Sequence, residues 1–306
     1  MPLFSTVIPT FNRAGLVQRA VESALSQDPR PQVIVVDDGS TDETPGVLQK
    51  FGDQIEVFTQ SNRGPGAARN LGISHSRGDY IAFLDSDDCF LPWTFKTYQR
   101  VIREHGSPAF VTGMPRQFHE ESELAGLAES PLSVERFDDY LASGDQWRWW
   151  GVSSFVIRRD ALVEAGGFSD ERINGEDADL ALRLGTAKGF VHLTSPQTFG
   201  YREHPAKLRA EQQRNLKGML HLLEEERKGG YPGGNARRAD RRRIITTFAR
   251  PLSLELLNTG ESAGGWALYR RTFGWHLGLV RLRYLFGFPA MAAITRLCRH
   301  NPMKNG

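Results

Sequence analysis

What the sequence lacks narrows its function first. Its 306 residues hold only two cysteines, Cys89 and Cys298, too few for a disulfide framework, so a reducing compartment is expected. No basic n-region opens the chain, and residues 5–9 already read as a strand, so no secretory signal peptide is expected. No stretch reaches the roughly 18 uncharged apolar residues of a spanning helix. Internal repeats and low-complexity tracts are missing as well. A net charge of only +2 gives no overall basic character, so no nucleic-acid partner is expected. These absences describe a protein made and kept in the cytoplasm, with one large domain or a domain and a smaller appendage.

What charge there is lies unevenly. Residues 236–306 carry 13 Lys or Arg against 3 Asp or Glu, which leaves about −8 for the acidic body before them. Within that body, strand and helix signals alternate. Residues 5–8, 32–37 (QVIVVD), 55–59 and 80–84 read as strands; residues 16–27, 44–51, 65–75 and 95–104 read as helices. The alternation predicts an α/β fold with a doubly wound, mostly parallel sheet flanked by helices, in which ligands sit beyond the carboxyl ends of the strands. Residues 114–151 are less regular. Residues 153–157 read as a strand, 176–184 as a helix and 206–228 as a charged helix. The GGYPGG stretch at 229–234 reads as a hinge before two or three basic helices.

Four polar constellations interrupt this pattern. Asp85, Ser86, Asp87 and Asp88 follow the apolar strand YIAFL; carboxylates crowded there suit Mg²⁺ or Mn²⁺, or form a polar turn that caps the next helix. Asp37 and Asp38 end a second apolar strand, where they either accept from a base N–H or ribose hydroxyl or close an Asx turn. Asn62–Asn70 (NRGPGAARN) combines glycines that permit close backbone approach, a proline suited to a helix's first turn, and Arg69, either a phosphate partner or a surface arginine. Glu176 and Asp177 open a helix, where acidic residues are favoured by the dipole alone.

In order and spacing, VIPTFNR at 7–13, VVDDGSTDET at 35–44, SNRGPGAARNLGI at 61–73, GDYIAFLDSDD at 78–88, GGF at 166–168 and GEDADLALRL at 175–184 resemble the family 2 glycosyltransferases of GT-A fold. The resemblance covers residues 5–208 or so. It implies an inverting, metal-dependent nucleotide-sugar transferase. Pro9, Thr10, Phe11 and Asn12 correspond to the nucleobase-holding segment, with Phe11 as a stacking face where many relatives have tyrosine. Asp38 corresponds to the base-reading carboxylate, with Asp37 beside it, and Arg69 to a donor contact. Asp85 and Asp87 match the D-x-D pair, with Ser86 between them and Asp87 as the direct ligand to Mg²⁺ or Mn²⁺. Asp177 matches the catalytic base, and His204 a histidine that approaches the metal or diphosphate in some relatives. The resemblance divides the chain into a catalytic domain, 1–205 (a nucleotide-sugar half to about 113, an acceptor half from about 114), and a helical basic extension, 206–306.

The implied donor is a nucleoside-diphosphate sugar, UDP being the commonest, and the implied acceptor a saccharide or lipid-linked hydroxyl. Two other readings remain: a sugar-phosphate nucleotidyltransferase, disfavoured by PTFNRAG after the first strand, and an inactive protein that keeps the fold for binding. Trp147, Trp149 and Trp150 suit either core packing or stacking on acceptor sugars. Residues 277–297 mix Arg281, Arg283 and Arg296 with Leu282, Leu285, Phe286, Phe288, Met291 and Ile294. The uninterrupted apolar portion, 284–294, is too short to span a bilayer; the segment suits an anionic membrane surface or packing against the rest of the protein.

Overall fold

The structure is a computed structural model that describes residues 3–146, 148–171, 173–203 and 208–300, with backbone only at 208–211 and 298–300. The chain divides into two compact units. The first comprises Met1–Ala142, Arg148–Arg172 and Glu176–Ala206.

β-Branched runs without alternation build the centre of this unit. Strand β2 (Gln32–Asp37) is buried along its whole length, as is β1 (Phe4–Thr10). They pair in parallel from Ser5 opposite Gln32 to Thr10 opposite Asp37. Strands β3 (Glu56–Thr59) and β4 (Tyr80–Phe83) extend the parallel sheet on either side. Helices α1 (Ala14–Leu25), α2 (Thr44–Gln49) and α3 (Pro65–His75) are the crossovers. This parallel half is the expected doubly wound α/β arrangement, and its register brings the carboxyl ends of β1, β2 and β4 to one edge.

Beyond β4 the sheet becomes mixed. Two-residue β5 (Cys89–Phe90), α4 (Thr94–Glu104), β6 (Phe110–Phe118), β7 (Ser133–Phe137), β8 (Phe155–Arg158), α5 (Arg159–Glu164), α6 (Glu176–Arg183) and β9 (Phe190–Arg202) complete it. Among the described residues the order is β3-β2-β1-β4-β8-β6-β9-β5, with β7 also on β9. Strand β8 is antiparallel to both β4 and β6, while β6 and β9 are parallel. One of these strands, β9, has no clean period in sequence. β9 carries Thr194, Ser195 and Pro196 in its middle, and its register against β6 shifts beside Met114.

The core gathers Ile8, Val21, Val35, Leu84, Phe95, Tyr98, Val111 and Phe199, all essentially inaccessible to solvent. At about 25 cal/mol per Å², burying each large side chain here stabilises by roughly 1.5–3 kcal/mol. Trp149 belongs to a neighbouring aromatic cluster with Tyr140 and Phe155 and is 2% exposed, whereas Trp150 is 42% exposed. Trp147 lies outside the described residues.

The second unit holds Ser143–Trp147, Ile173–Gly175 and Lys207–Gly306. It consists of helices α7 (Leu208–Lys228), α8 (Arg238–Thr259), α9 (Ser262–Gly278) and α10 (Leu282–His300). Leu257, Tyr269, Tyr284, Leu285 and Phe288 form its main apolar cluster. The GGYPGG stretch is not a hinge. Tyr231 is buried, and the buried Arg241 donates to the Pro232 and Gly234 carbonyls while pairing with Glu226 at 2.6 Å. The glycines there shape a tied corner.

Candidate active site

The edge where β1, β2 and β4 end carries most of the residues singled out in sequence. After β1, Asn12 sits at φ +51°, a left-handed conformation that asparagine tolerates. Its side-chain oxygen accepts from the Thr41 N–H at 2.8 Å, and its own N–H donates to Ser40 Oγ at 2.9 Å. Asn12 therefore ties the loop after β1 to the loop after β2. Pro9 is buried in β1. Thr10 is buried too, and its hydroxyl has no hydrogen-bond partner among the described residues, a costly state unless a ligand supplies one. Phe11 is 42% exposed, which leaves a ring face open for stacking.

Asp37 and Asp38 both hold loops. Asp37 Oδ1 accepts from the Ser40 N–H at 2.9 Å, an Asx turn. Asp38 accepts three bonds: from Gln60 Nε2 at 2.7 Å, and from the Arg63 and Gly64 N–H groups at 2.8 Å each. A carboxylate has about four acceptor sites, so one remains on Asp38. Gly64 (φ +94°) then turns the chain into α3, with Pro65 in its first turn.

The glycines of the GPGAARN segment serve packing as well. A Cβ on Gly66 would lie 2.6 Å from the Ser169 carbonyl oxygen. Asn70 fastens the same contact: its oxygen accepts from the Phe168 N–H at 2.8 Å and its amide donates to the Phe168 carbonyl at 2.9 Å. Helix α3 is thereby locked to the GGF turn, and Gly167 (φ +68°) leaves room for Asn70.

Arg69 projects from α3 into the site and is 4% exposed. It donates to Asp85 Oδ1 at 2.7 Å and Glu176 Oε1 at 3.0 Å, and its guanidinium lies 5.2 Å from the Phe168 ring centroid. Burial opposes its charge, but the two carboxylates outweigh that and hold it above the usual arginine range. Its Nε has no partner among the described residues.

Asp85, Ser86, Asp87 and Asp88 form the turn after β4. Asp85 also receives Arg69, and its N–H donates to Ser153 Oγ at 3.0 Å. Asp87 faces Arg13 at 3.4 Å. Ser86 is buried. Asp88 is the internal member, 3% exposed; it accepts from Ser153 Oγ at 2.6 Å and from the Arg202 N–H at 3.1 Å. Burial, then Asp85 and then Asp87 push the Asp88 carboxyl well above the usual range. Burial is the larger part of that push; the smaller part, from Asp85 and Asp87, is crowding that a cation would relieve.

Asp177 stands in the first turn of α6 beside Glu176, half-buried. Desolvation first and the Glu176 charge second raise its carboxyl to about 6, against the Ala178 N–H, Arg69 and a hydrogen bond from the Trp149 side chain. The only donor on that side chain is its indole N–H. Buried Trp149 thus spans the core and the site.

Among the described residues no three His, Cys, Asp or Glu side chains converge as a ready metal-ligand set. Hard cations such as Mg²⁺ are commonly held by one or two carboxylates together with substrate phosphates and water, and Asp85 and Asp87 fit that donor set. His204 lies outside the described residues. Ser153, Arg202, Arg13 and Glu176 were not assigned roles from sequence. Glu176 was adjacent to an assigned residue, but Ser153 and Arg202 come from β-strand junctions with no local signature.

The family described as "Glycosyl transferase family 2" matches residues 5–157, half of the chain. A relative named GalNAc(5)-diNAcBac-PP-undecaprenol beta-1,3-glucosyltransferase, from Campylobacter jejuni subsp. jejuni, is 29% identical over 198 residues, 62% of this chain and 62% of that one. The chain thus spans less than two thirds of that relative's length. Among solved structures, S. aureus TarS 1-349 in complex with UDP-GlcNAc aligns with a TM-score of 0.56 at 17% identity, covering 82% of this chain and 72% of TarS. A mannosyltransferase from Pyrobaculum calidifontis in complex with GDP-Man and Mn²⁺ aligns with a TM-score of 0.57 at 16% identity, covering 99% and 88%. At those identities the structural likeness carries the fold, GT-A, and the sequence match carries the family: this chain belongs to glycosyl transferase family 2.

Proposed function

We propose that the protein is an inverting glycosyltransferase that moves a sugar from a nucleoside-diphosphate sugar to a hydroxyl acceptor, with Asp177 as general base. The observation that carries this reading is Arg69, which joins Asp85 at the end of β4 to Glu176 at the start of α6. It ties the carboxylates suited to the donor's diphosphate to the element that bears the base.

The chemistry follows from those positions. The open face of Phe11 and the unpartnered Thr10 hydroxyl suit a nucleobase and its sugar, with the remaining acceptor site of Asp38 turned to a base N–H or ribose hydroxyl. Asp87, with Asp85, would hold Mg²⁺ or Mn²⁺, which when bound neutralises charge developing on the diphosphate. Asp177 accepts the acceptor's hydroxyl proton as its oxygen attacks C1 and the C1–diphosphate bond breaks. Attack from the opposite face inverts the anomeric centre. With its carboxyl near 6, Asp177 is mostly ionised at neutral pH yet more basic than an ordinary aspartate, as a general base should be.

The donor nucleotide is proposed as UDP and the acceptor as a lipid-linked saccharide, in keeping with TarS bound to UDP-GlcNAc and with the acceptor in the Campylobacter relative's name. The proposed organisation is a catalytic part, 1–205, and a helical extension, 206–306. A panel of UDP-, GDP- and dTDP-sugars with Mn²⁺ or Mg²⁺ tests the reading by thermal shift and by release of nucleoside diphosphate. One donor should stabilise the protein and release diphosphate with inversion at C1. Pyrophosphate release from an NTP and a sugar phosphate, with no transfer from any donor, would overturn it.

A further inference from the structure

Helix α10 is apolar on two opposite sides. Tyr284, Leu285 and Phe288 pack inside the helical unit. Leu285 and Phe288 are therefore core, although the sequence alone grouped them with surface-seeking neighbours. Leu282, Phe286, Ala290, Ala293 and Leu297 follow one another at spacings of three and four and are all exposed, a continuous stripe on the outer side of the helix. Phe286 is 74% and Leu297 70% exposed. In the chain just before it, Val280 in the preceding turn, 72% exposed, and Leu277 and Phe273 on α9 are exposed as well. An apolar helix face of this length is not needed for the fold, since the inner face already supplies the core.

The charges carried by its own stretch of chain have one sign. Residues 262–300 contain six arginines and no Asp or Glu. Arg281 is committed to Asp145 within the same unit, at 2.8 Å. Arg270 and Arg283 are exposed and sit on or beside the stripe at helical spacing, as does the exposed Arg296, which has a contact of its own. No described helix is long and apolar enough to cross a membrane. An apolar stripe bordered by arginines, on a segment (262–300) that itself carries no Asp or Glu, has the charge and shape of an interfacial helix.

We propose that the outer face of α10, with the end of α9, docks on an anionic lipid surface, its apolar side chains in the headgroup boundary and its arginines on the phosphates. This surface does not depend on the transferase reading, and its test reads binding rather than activity. Full-length protein is floated with vesicles of phosphatidylcholine alone and with about one third phosphatidylglycerol, at low and high salt. Float with the anionic vesicles at low salt, weaker at high salt and on neutral vesicles, is expected. Phe286→Glu combined with Leu282→Glu should lower the bound fraction by roughly tenfold or more, with unchanged far-UV circular dichroism because both positions are exposed. Arg283→Ser combined with Arg296→Ser should weaken binding to anionic vesicles only. Full-length protein that stays at the bottom with anionic vesicles at low salt would overturn the proposal. So would a Phe286→Glu, Leu282→Glu variant that floats like the wild type, or a stable dimer in sedimentation that this pair dissociates, since the face would then be covered by a second copy.

Discussion

Asp85 and Glu176, far apart in sequence, accept from the two ends of one buried guanidinium, at 2.7 and 3.0 Å from Arg69. Removing that cation leaves two carboxylates facing each other. Breaking a buried pair costs about 3–5 kcal/mol; Asp85 is a third exposed, so solvent screens part of this and about 2 kcal/mol is expected for Arg69→Met. In a domain of this size that lowers Tm by roughly 5 °C. Arg69→Lys keeps the charge but cannot bridge both acceptors with a planar fork. It should recover much of the Tm and still lose at least about tenfold in kcat. Thermal unfolding and transfer rates check both; an unchanged Tm in Arg69→Met would show the bridge to be idle.

The carboxyl of Asp177, near 6, predicts the pH profile. Transfer should fall about tenfold per unit below pH 6, as the base takes up its proton. Asp177→Asn should lower kcat by about 10²-fold or more with donor affinity near wild type. The stability sign runs the other way. The folded-state value lies above the unfolded value near 3.9, so the native state binds the proton more tightly. It loses stability as pH rises from about 4 through 6. Asp177→Asn should therefore be at least as stable as wild type at pH 7. A variant that unfolds more easily but keeps its kcat would make Asp177 a helix cap.

Part of this site was legible because its residues stand at the ends of strongly patterned strands. The β-branched run of β2 and the YIAF of β4 fix where Asp37, Asp38, Asp85 and Asp87 emerge, since a parallel sheet aligns its carboxyl ends. Which partner each carboxylate takes was not legible. Asp38 is held by the backbone of Arg63 and Gly64, and Asp88 by Ser153 and Arg202; such bonds depend on loop conformation and leave no local pattern. The glycines of the GPGAARN segment suggested ligand approach, yet Gly66 makes room for the Ser169 carbonyl. Both uses require the same missing Cβ, so the sequence cannot separate them. Strand β9 escaped because polar residues and a register shift erase its alternation.

Divalent cation binding should be visible without turnover. Burial first, and then the charges of Asp85 and Asp87, raise the Asp88 carboxyl; a cation at that turn would relieve the charge crowding. With nucleoside diphosphate present, Mn²⁺ at about 100 times its Kd should stabilise the wild type by about 2.7 kcal/mol. Asp87→Ala should lose that increment while remaining folded, because Asp87 is a partly exposed partner of Arg13. An equal metal-dependent shift in the variant would remove Asp87 from the ligand set. Full transfer activity in EDTA would remove the metal altogether.

His276 predicts acid sensitivity in the helical unit. Its ring is fully buried on α9, neither nitrogen has a partner among the described residues, and the Tyr284 ring lies 4.3 Å away. Burial, then Arg281 and Arg250, lower its pKa to about 3, so it stays neutral when folded. The unfolded chain protonates near 6.5. The stability it contributes is therefore fully present above that pH and is lost as pH falls towards the folded value. By pH 5 the loss amounts to about 2 kcal/mol, set mainly by the unfolded pKa. His276→Leu removes two unpartnered polar atoms at similar volume. It should leave stability at pH 7 unchanged or higher and shrink the pH 7 to pH 5 difference by that amount. Hydrogen exchange of α9 amides isolates this unit from His192, a second buried histidine held near 4 in the sheet unit. If α9 protection falls equally with pH in wild type and variant, the acid sensitivity arises elsewhere.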